Sequence, residues 1–174
     1  TLCYDGQYFF DTDHSEGESG TQSNKGTAAL SASSLQAAIT TMMKIKDDKG
    51  KPMGVIPDTL VVPPDLKWTA MELLGSTYAP DVASGKTDMR KNVLAGTLNL
   101  IVSPYLTNPN NWFLLCTKRA IKPIIFQSRV PVEFTALEGN SENGFMRDEY
   151  LYGVRARYNV GFGLWQFAYG SQVA

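Results

Sequence analysis

A single histidine sets the first limit on what this chain can do. Any Ser–His or Cys–His arrangement for nucleophilic catalysis must pass through His14, and no G-x-S-x-G elbow supplies a serine. Cysteine is nearly as scarce. Cys3 and Cys116 lie far apart and form no C-x-x-C, so the pattern predicts two reduced thiols, with Cys116 in the core. Charge of one sign is missing too. Sixteen basic and 17 acidic side chains leave a formal net charge of −1, which argues against a dedicated nucleic-acid binder with its basic stripe. No stretch approaches the ~18 consecutive apolar residues of a membrane span. No N-x-[ST] sequon occurs, which is compatible with an intracellular origin. The chain opens at Thr1 without a basic and then apolar leader, so no signal peptide is visible, and the missing Met points to processing or excision from something longer.

What is present suffices for a core. At 174 residues and 43% hydrophobic the chain fits one domain. Tyr4 to Phe10 reads as an aromatic strand, followed by polar, Gly- and Ser-rich sequence to Thr27. Ser31 is the expected N-cap of a first helix, with Leu30 and Leu35 as its hydrophobic staple. Leu35, Ile39 and Met42 share its apolar face, with Ala38 and Ile45 at the margins, and Gly50 followed by Pro52 is expected to end it. "DTLVVPPDLKWTAMELLGS" predicts a short strand from Thr59 to Val62, a stop at Pro63–Pro64, and a second helix burying Leu66, Ala70, Leu73 and Leu74. Residues 76–91 read as a long, irregular surface loop. Beyond Asn92 the pattern turns to strands: "GTLNLIV", "WFLLCT", "PIIFQ" and "YLYGVRARYNVGFG". In the last, Tyr152, Val154, Ala156, Tyr158 and Val160 face one way, and Arg155, Arg157 and Asn159 the other. Helices precede strands, so the expected class is α+β rather than a regular βαβ alternation.

"FFDTDHSEGESG" crowds Asp11, Asp13, Glu16 and Glu18 around His14 and has the look of a metal or acid/base site. In an EF-hand register Asp11, Asp13 and Ser15 take the first ligand positions, but Glu16 replaces the required Gly and Gln22 the final Glu. The bland reading of a solvated polar turn outweighs the metal one. "SGKTD" at Ser84–Asp88 copies the tail of a phosphate-binding loop, yet Pro80 stands where its first glycine belongs. Gly161 and Gly163 follow a strand but lack the third glycine of a dinucleotide fingerprint. Arg155 and Arg157 suit a phosphate or a partner's carboxylates, against the plain alternative of a solvated sheet face. Seven aromatics from Tyr150 to Tyr169 exceed what an isolated terminus covers. No catalytic, cofactor-binding or metal-ligating residue is assigned on this reading, and no cofactor.

Several of these segments, in order, resemble the major head subunit family of Mu-like phages and prophages: "DGQYFFDTDH", a polar stretch ending in "SN", "PDTLVVPPDLKWTAMELLGS", "SPYLTNPNNWFLL", "KPIIFQSRVPVEF" and "DEYLYGVRARYNVGFGLWQFAYGS". The resemblance implies the tailed-phage capsid fold of the Hong Kong ninety-seven type. Residues 1–26 would be a strand and polar loop of its peripheral domain, 27–140 an axial-domain-like core, and 141–174 strands returning to the peripheral domain. Nothing in the sequence matches that family's arm, extended loop or spine helix. The implied role is a structural subunit of a head shell, not an enzyme, made in the host cytoplasm and ending in the virion. Its implied partners are copies of itself in pentamers and hexamers, then scaffold, head protease and portal. Packaged DNA is touched only non-specifically, and no membrane is involved. In that family Asp5 to His14 positions the fold. Without a covering spine helix, the strand Tyr150–Gly163 is expected to expose apolar side chains and the tail Trp165–Tyr169 to lose packing. Two other readings stay open on the residues: a small metal-dependent hydrolase using Asp11, Asp13 and His14, and an aromatic-rich carbohydrate-binding β module.

Overall fold

A computed structural model describes residues 2–80, 89–137, 142–147 and 149–173. The chain divides into two compact units: Thr1–Pro123 with Gly163–Ala174, and Ile124–Phe162. The class is α+β, as expected. The boundary expected near 140 lies outside the described residues.

The larger unit is built on a five-stranded mixed sheet. Its strands are β3 (Lys25–Gly26), β4 (Thr59–Val62), β7 (Asn99–Val102), β8 (Trp112–Leu115) and β11 (Ala168–Ser171), in the order β3-β11-β8-β4-β7. Strand β8 runs antiparallel to both its neighbours, β4 and β11. The outer pairs β11–β3 and β4–β7 are parallel. The last strand thus sits inside the sheet, and the sheet closes only when both ends of the chain have arrived. Alternation puts Trp112, Leu114 and Cys116 on the buried side of β8, with Leu60 and Val62 of β4 beside them in the core. Cys3 and Cys116 are both buried free thiols.

Helix α1 (Ala32–Met43) forms where Ser31 caps it. The Ser31 side chain accepts from the Ser34 amide, and the Ser34 hydroxyl accepts from the Ser31 amide, closing a capping box. Leu35, Ala38 and Met42 are buried and Ile39 is partly so. The helix ends at Met43, short of Gly50. Asp47 accounts for this, because its carboxylate takes the amides of Lys49 and Lys51 and folds 46–52 into a turn, an option the helix cannot match. A 3₁₀ turn at Pro64–Leu66 leads into α2 (Lys67–Gly75), which buries Ala70 and Leu74. The strand β4, this helix and the parallel strand β7 make one crossover within an otherwise α+β fold. Two packed helices count against the β-module reading.

Two further expectations change. Tyr4–Phe10 is not a strand. It contains the turn dipeptide Asp5–Gly6, with Gly6 at φ +81°, and the Cys3 amide reaches Gln7 O at 2.7 Å around it. The span 76–91 is not wholly irregular, because β5 (Tyr78–Pro80) pairs antiparallel with β6 (Met89–Lys91). Ser84–Asp88 lies outside the described residues. Two-residue strands β1 (His14–Ser15) and β2 (Thr21–Gln22) pair in the N-terminal segment. Among the described residues no helix is long and apolar enough to cross a membrane.

The second unit is an antiparallel ribbon of β9 (Ile124–Leu137) and β10 (Leu151–Phe162), with a short helix α3 (Glu142–Arg147) between them. Two register shifts, between Arg155 and Arg157 and between Arg157 and Tyr158, spend extra residues on β9 around Pro131, whose missing N–H suits a bulge. Arg155 pairs with Glu133 across the strands at 2.7 Å, an exposed contact of small worth.

The sheet's edge offers a pH test. Asp58 precedes β4 and is buried. It takes the Thr117 amide at 2.7 Å and the Thr117 hydroxyl at 2.8 Å, fixing the end of β8 against β4. Burial alone raises the carboxyl. The two Thr117 hydrogen bonds, helped by the charge of Lys118, outweigh it and hold Asp58 below the usual carboxylate range. The contribution is therefore full above about pH 4 and disappears as the pH falls through the native value. Asp58→Ala should cost about 1–3 kcal/mol near neutrality. In urea melts the gap between chain and variant should shrink on acidification; a gap that widens contradicts this.

Candidate functional site

The acidic segment is not a solvated turn. His14 opens β1 and is completely buried. Its Nδ1 lies 2.5 Å from Asp5 Oδ2, and its Nε2 lies 3.2 Å from Asn24 Oδ1. The ring stacks on Trp165, with centroids 4.0 Å apart and planes within 6°. Burial follows from local geometry. The Asp5–Gly6 turn swings the Asp5 carboxylate inward, where its other oxygen takes the Gln7 amide at 3.2 Å. Gly17, at φ +53°, lets the chain pass so close to Asp48 that a Cβ would strike its carbonyl, and the Glu18 amide bonds that carbonyl at 2.7 Å.

Asn24 completes the knot. Its Nδ2 donates to Phe9 O at 2.7 Å and to Trp165 O at 3.2 Å. Its Oδ1 accepts from the Asp11 amide at 2.9 Å besides facing His14. One buried amide thus joins the N-terminal segment to the 3₁₀ turn Trp165–Phe167. Cys3, Ile45 and Trp165 form the apolar cluster around it, with Phe9 and Met53 against them. Burial pushes the Cys3 thiol up, and the Asp5 carboxylate pushes it further. Trp165 and Phe167 are buried, so the tail does not lose its packing, contrary to expectation.

The residues of the hydrolase reading are not brought together. Asp11 Oδ1 is turned to the Thr12 amide at 2.8 Å, which with other hydrogen bonds holds its carboxyl low. Asp13 Oδ2 accepts from Gln7 Nε2 at 3.2 Å. His14 is engaged with Asp5 and Asn24 instead. Among the described residues no group of three or more His, Cys, Asp or Glu side chains could hold a metal ion. The ring offers no edge to solvent, so it cannot take a proton from a substrate. A hollow of about 340 Å³ nearby is bordered by Tyr4, Glu16, Asp47 and Gln166. Two of its three carboxylates already serve the fold, Glu16 accepting from the Tyr4 hydroxyl and Asp47 from two amides, with Asp48 the third.

Reasoning from spacing singled out Asp11, Asp13 and His14 but missed Asp5, Asn24 and Trp165. The Asp5–Gly6 dipeptide carried a signal for the turn. Nothing local marks Asn24, whose partner Trp165 is 141 residues away.

The second candidate surface is the ribbon. Register and alternation place Ile124, Phe126, Phe134, Tyr152, Val154, Tyr158, Val160 and Phe162 on one face, as expected for β10, and all are exposed. Phe126 and Tyr158 lie 5.7 Å apart, and Phe134 and Tyr152 6.0 Å, between ring centroids. Such a continuous exposed apolar face marks an interaction surface.

A family model described as the Mu-like prophage major head subunit gpT matches residues 1–30, 25–106 and 107–174. The Mu-like prophage FluMu major head subunit of Haemophilus influenzae is 28% identical over 170 residues, 97% of this chain and 33% of that protein. The major capsid protein of Escherichia phage Mu is 40% identical over 58 residues, 33% of this chain and 19% of that protein. The chain spans a third or less of the length of these curated relatives. Among solved structures, the procapsid of bacteriophage JBD30 is similar at 27% identity and a TM-score of 0.39, over all of this chain and 35% of that one. A structure from Mycobacterium phage Patience is similar at 15% identity and a TM-score of 0.46, over 88% and 49%.

The knot makes a direct prediction. Asn24→Ala strips partners from the Asp11 amide, the Phe9 and Trp165 carbonyls and His14 at once, and should cost more than about 2 kcal/mol. Asp13→Ala, which loses one exposed contact, should stay within about 0.5 kcal/mol. Thermal melts of equal midpoint would contradict this ranking.

Proposed function

Because the chain belongs to the Mu-like prophage major head subunit family, we propose that it is a structural piece of a phage head shell, acting through contacts with further copies rather than through catalysis. The end-to-end family match carries this reading. The geometry of the acidic segment supports it, since its one histidine is consumed in holding the fold. The fold is read as the tailed-phage capsid type, with residues 1–26 and 141–174 as its peripheral-domain parts and 27–140 as the axial-domain-like core. Copies of the subunit in pentamers and hexamers are the first partners; scaffold, head protease and portal follow from the same role. The subunit works in the virion after synthesis in the host cytoplasm, and with no excess of basic charge it touches packaged DNA only weakly and without sequence specificity.

The ribbon gives this role a surface. A two-stranded ribbon is marginal without cover, and β9–β10 leaves its aromatic and β-branched face open. The Haemophilus relative, about three times this length, has additional chain that could cover such a face. The test is electron microscopy of this chain grafted in place of the matching segment of the Haemophilus subunit. Rings or closed shells are expected. Replacing Phe134 and Tyr158 with Glu should abolish them while leaving the melting of the larger unit unchanged. A graft that stays strictly monomeric under every assembly condition would refute the shell reading.

A further inference from the structure

We propose that His14 is held in the fold as a buried imidazolium, and that its second proton is the latch between the N-terminal segment and the 3₁₀ turn at Trp165. The hydrogen-bond geometry requires it. Asn24 cannot be turned around, because its Nδ2 faces two carbonyls, Phe9 O and Trp165 O, and its Oδ1 faces the Asp11 amide. The oxygen facing His14 Nε2 is therefore an acceptor, and Nε2 must donate. On the other side Nδ1 faces a carboxylate oxygen at 2.5 Å, which also accepts. A neutral ring carries one N–H. Either tautomer sets a nitrogen lone pair against an oxygen lone pair in a site without solvent, at an uncompensated desolvation cost.

The proton between Nδ1 and Asp5 belongs on the ring rather than on the carboxyl. Imidazole is intrinsically the stronger base of the two, and the other Asp5 oxygen already accepts from the Gln7 amide. The buried pair is then a compensated one, with both charges hydrogen-bonded. Trp165 adds a π-face 4.0 Å from the cation. Among the described residues, Asp5 is the one charged side chain bonded to the ring. Asp5 is the carboxylate on the N-terminal turn, and the Cys3 thiol lies beside that carboxylate. Of the acidic neighbours on the ring's own segment, Asp11 turns to Thr12, Asp13 to Gln7 and Glu16 to Tyr4. The opposing elements present the neutral Asn24, Gln22 and Trp165.

The consequence is a proton-dependent closure. Folding selects the doubly protonated ring, because both of its nitrogens face acceptors. Because His14 is the sole histidine, nitrogen-15 NMR of the labelled chain reads it without ambiguity. Near neutral pH both ring nitrogens should carry hydrogens, and Asp5→Asn should leave the ring with one hydrogen at the same pH. A ring with one bare nitrogen in the unmodified chain at neutral pH overturns the proposal whether or not the variant folds.

Discussion

One buried ring ties the two ends of the larger unit together. His14 is held on its edges by Asp5 and Asn24 and on its face by Trp165, and Asn24 carries the connection on to Phe9 and Asp11. The apolar cluster around the knot is small, with Cys3, Ile45 and Trp165 as its buried members among the described residues, so the polar contacts carry much of the hold on the first 24 residues. The knot also fixes the 3₁₀ turn that delivers β11 into the middle of the sheet, where it bonds both β3 and β8. Polar groups do the closing work here: His14, Asp5 and Asn24 are hydrogen-bonded to one another or to the backbone, while the buried Trp165 Nε1 and Gln166 Oε1 beside them lack a partner among the described residues.

This arrangement explains why the sequence looked like an active site. Carboxylates and a histidine close together are what a catalytic centre needs, and they are equally what a buried ion pair needs. Access decides between the two, and access depends on tertiary contacts. The local elements were legible: the cap at Ser31, the stop at Pro63–Pro64, and the alternation through Trp112, Leu114 and Cys116 all follow rules that act within a few residues. The α1 end was misjudged because Asp47 offers the backbone a turn that periodicity does not register. The role of Asn24 was invisible, since its partner at Trp165 comes from the opposite end of the chain. Family resemblance, by contrast, was spread over the whole order of segments and did not depend on any one site.

The ribbon shows the complementary principle. Its hydrogen bonding is satisfied between β9 and β10, but its side chains are those of a core face: Phe126, Phe134, Tyr152, Val154 and Tyr158. Contiguous exposed apolar faces of this kind are rare on monomers and tend to recruit partners. Internal polar closure in one unit and unsatisfied apolar surface in the other are together what a building block requires.

The central claim is that the acidic segment is the keystone of the larger unit. Native-state amide exchange tests it most directly. If the claim holds, the Asn24 amide, bonded to Asp11 O, and the Gly170 amide, bonded to Asn24 O, exchange only with global unfolding, as slowly as the amides of β4 and β8. Exchange of Asn24 and Gly170 through a low-energy local opening, while β4 and β8 stay protected, would contradict it and return the segment to the class of mobile loops in which function is ordinarily sought.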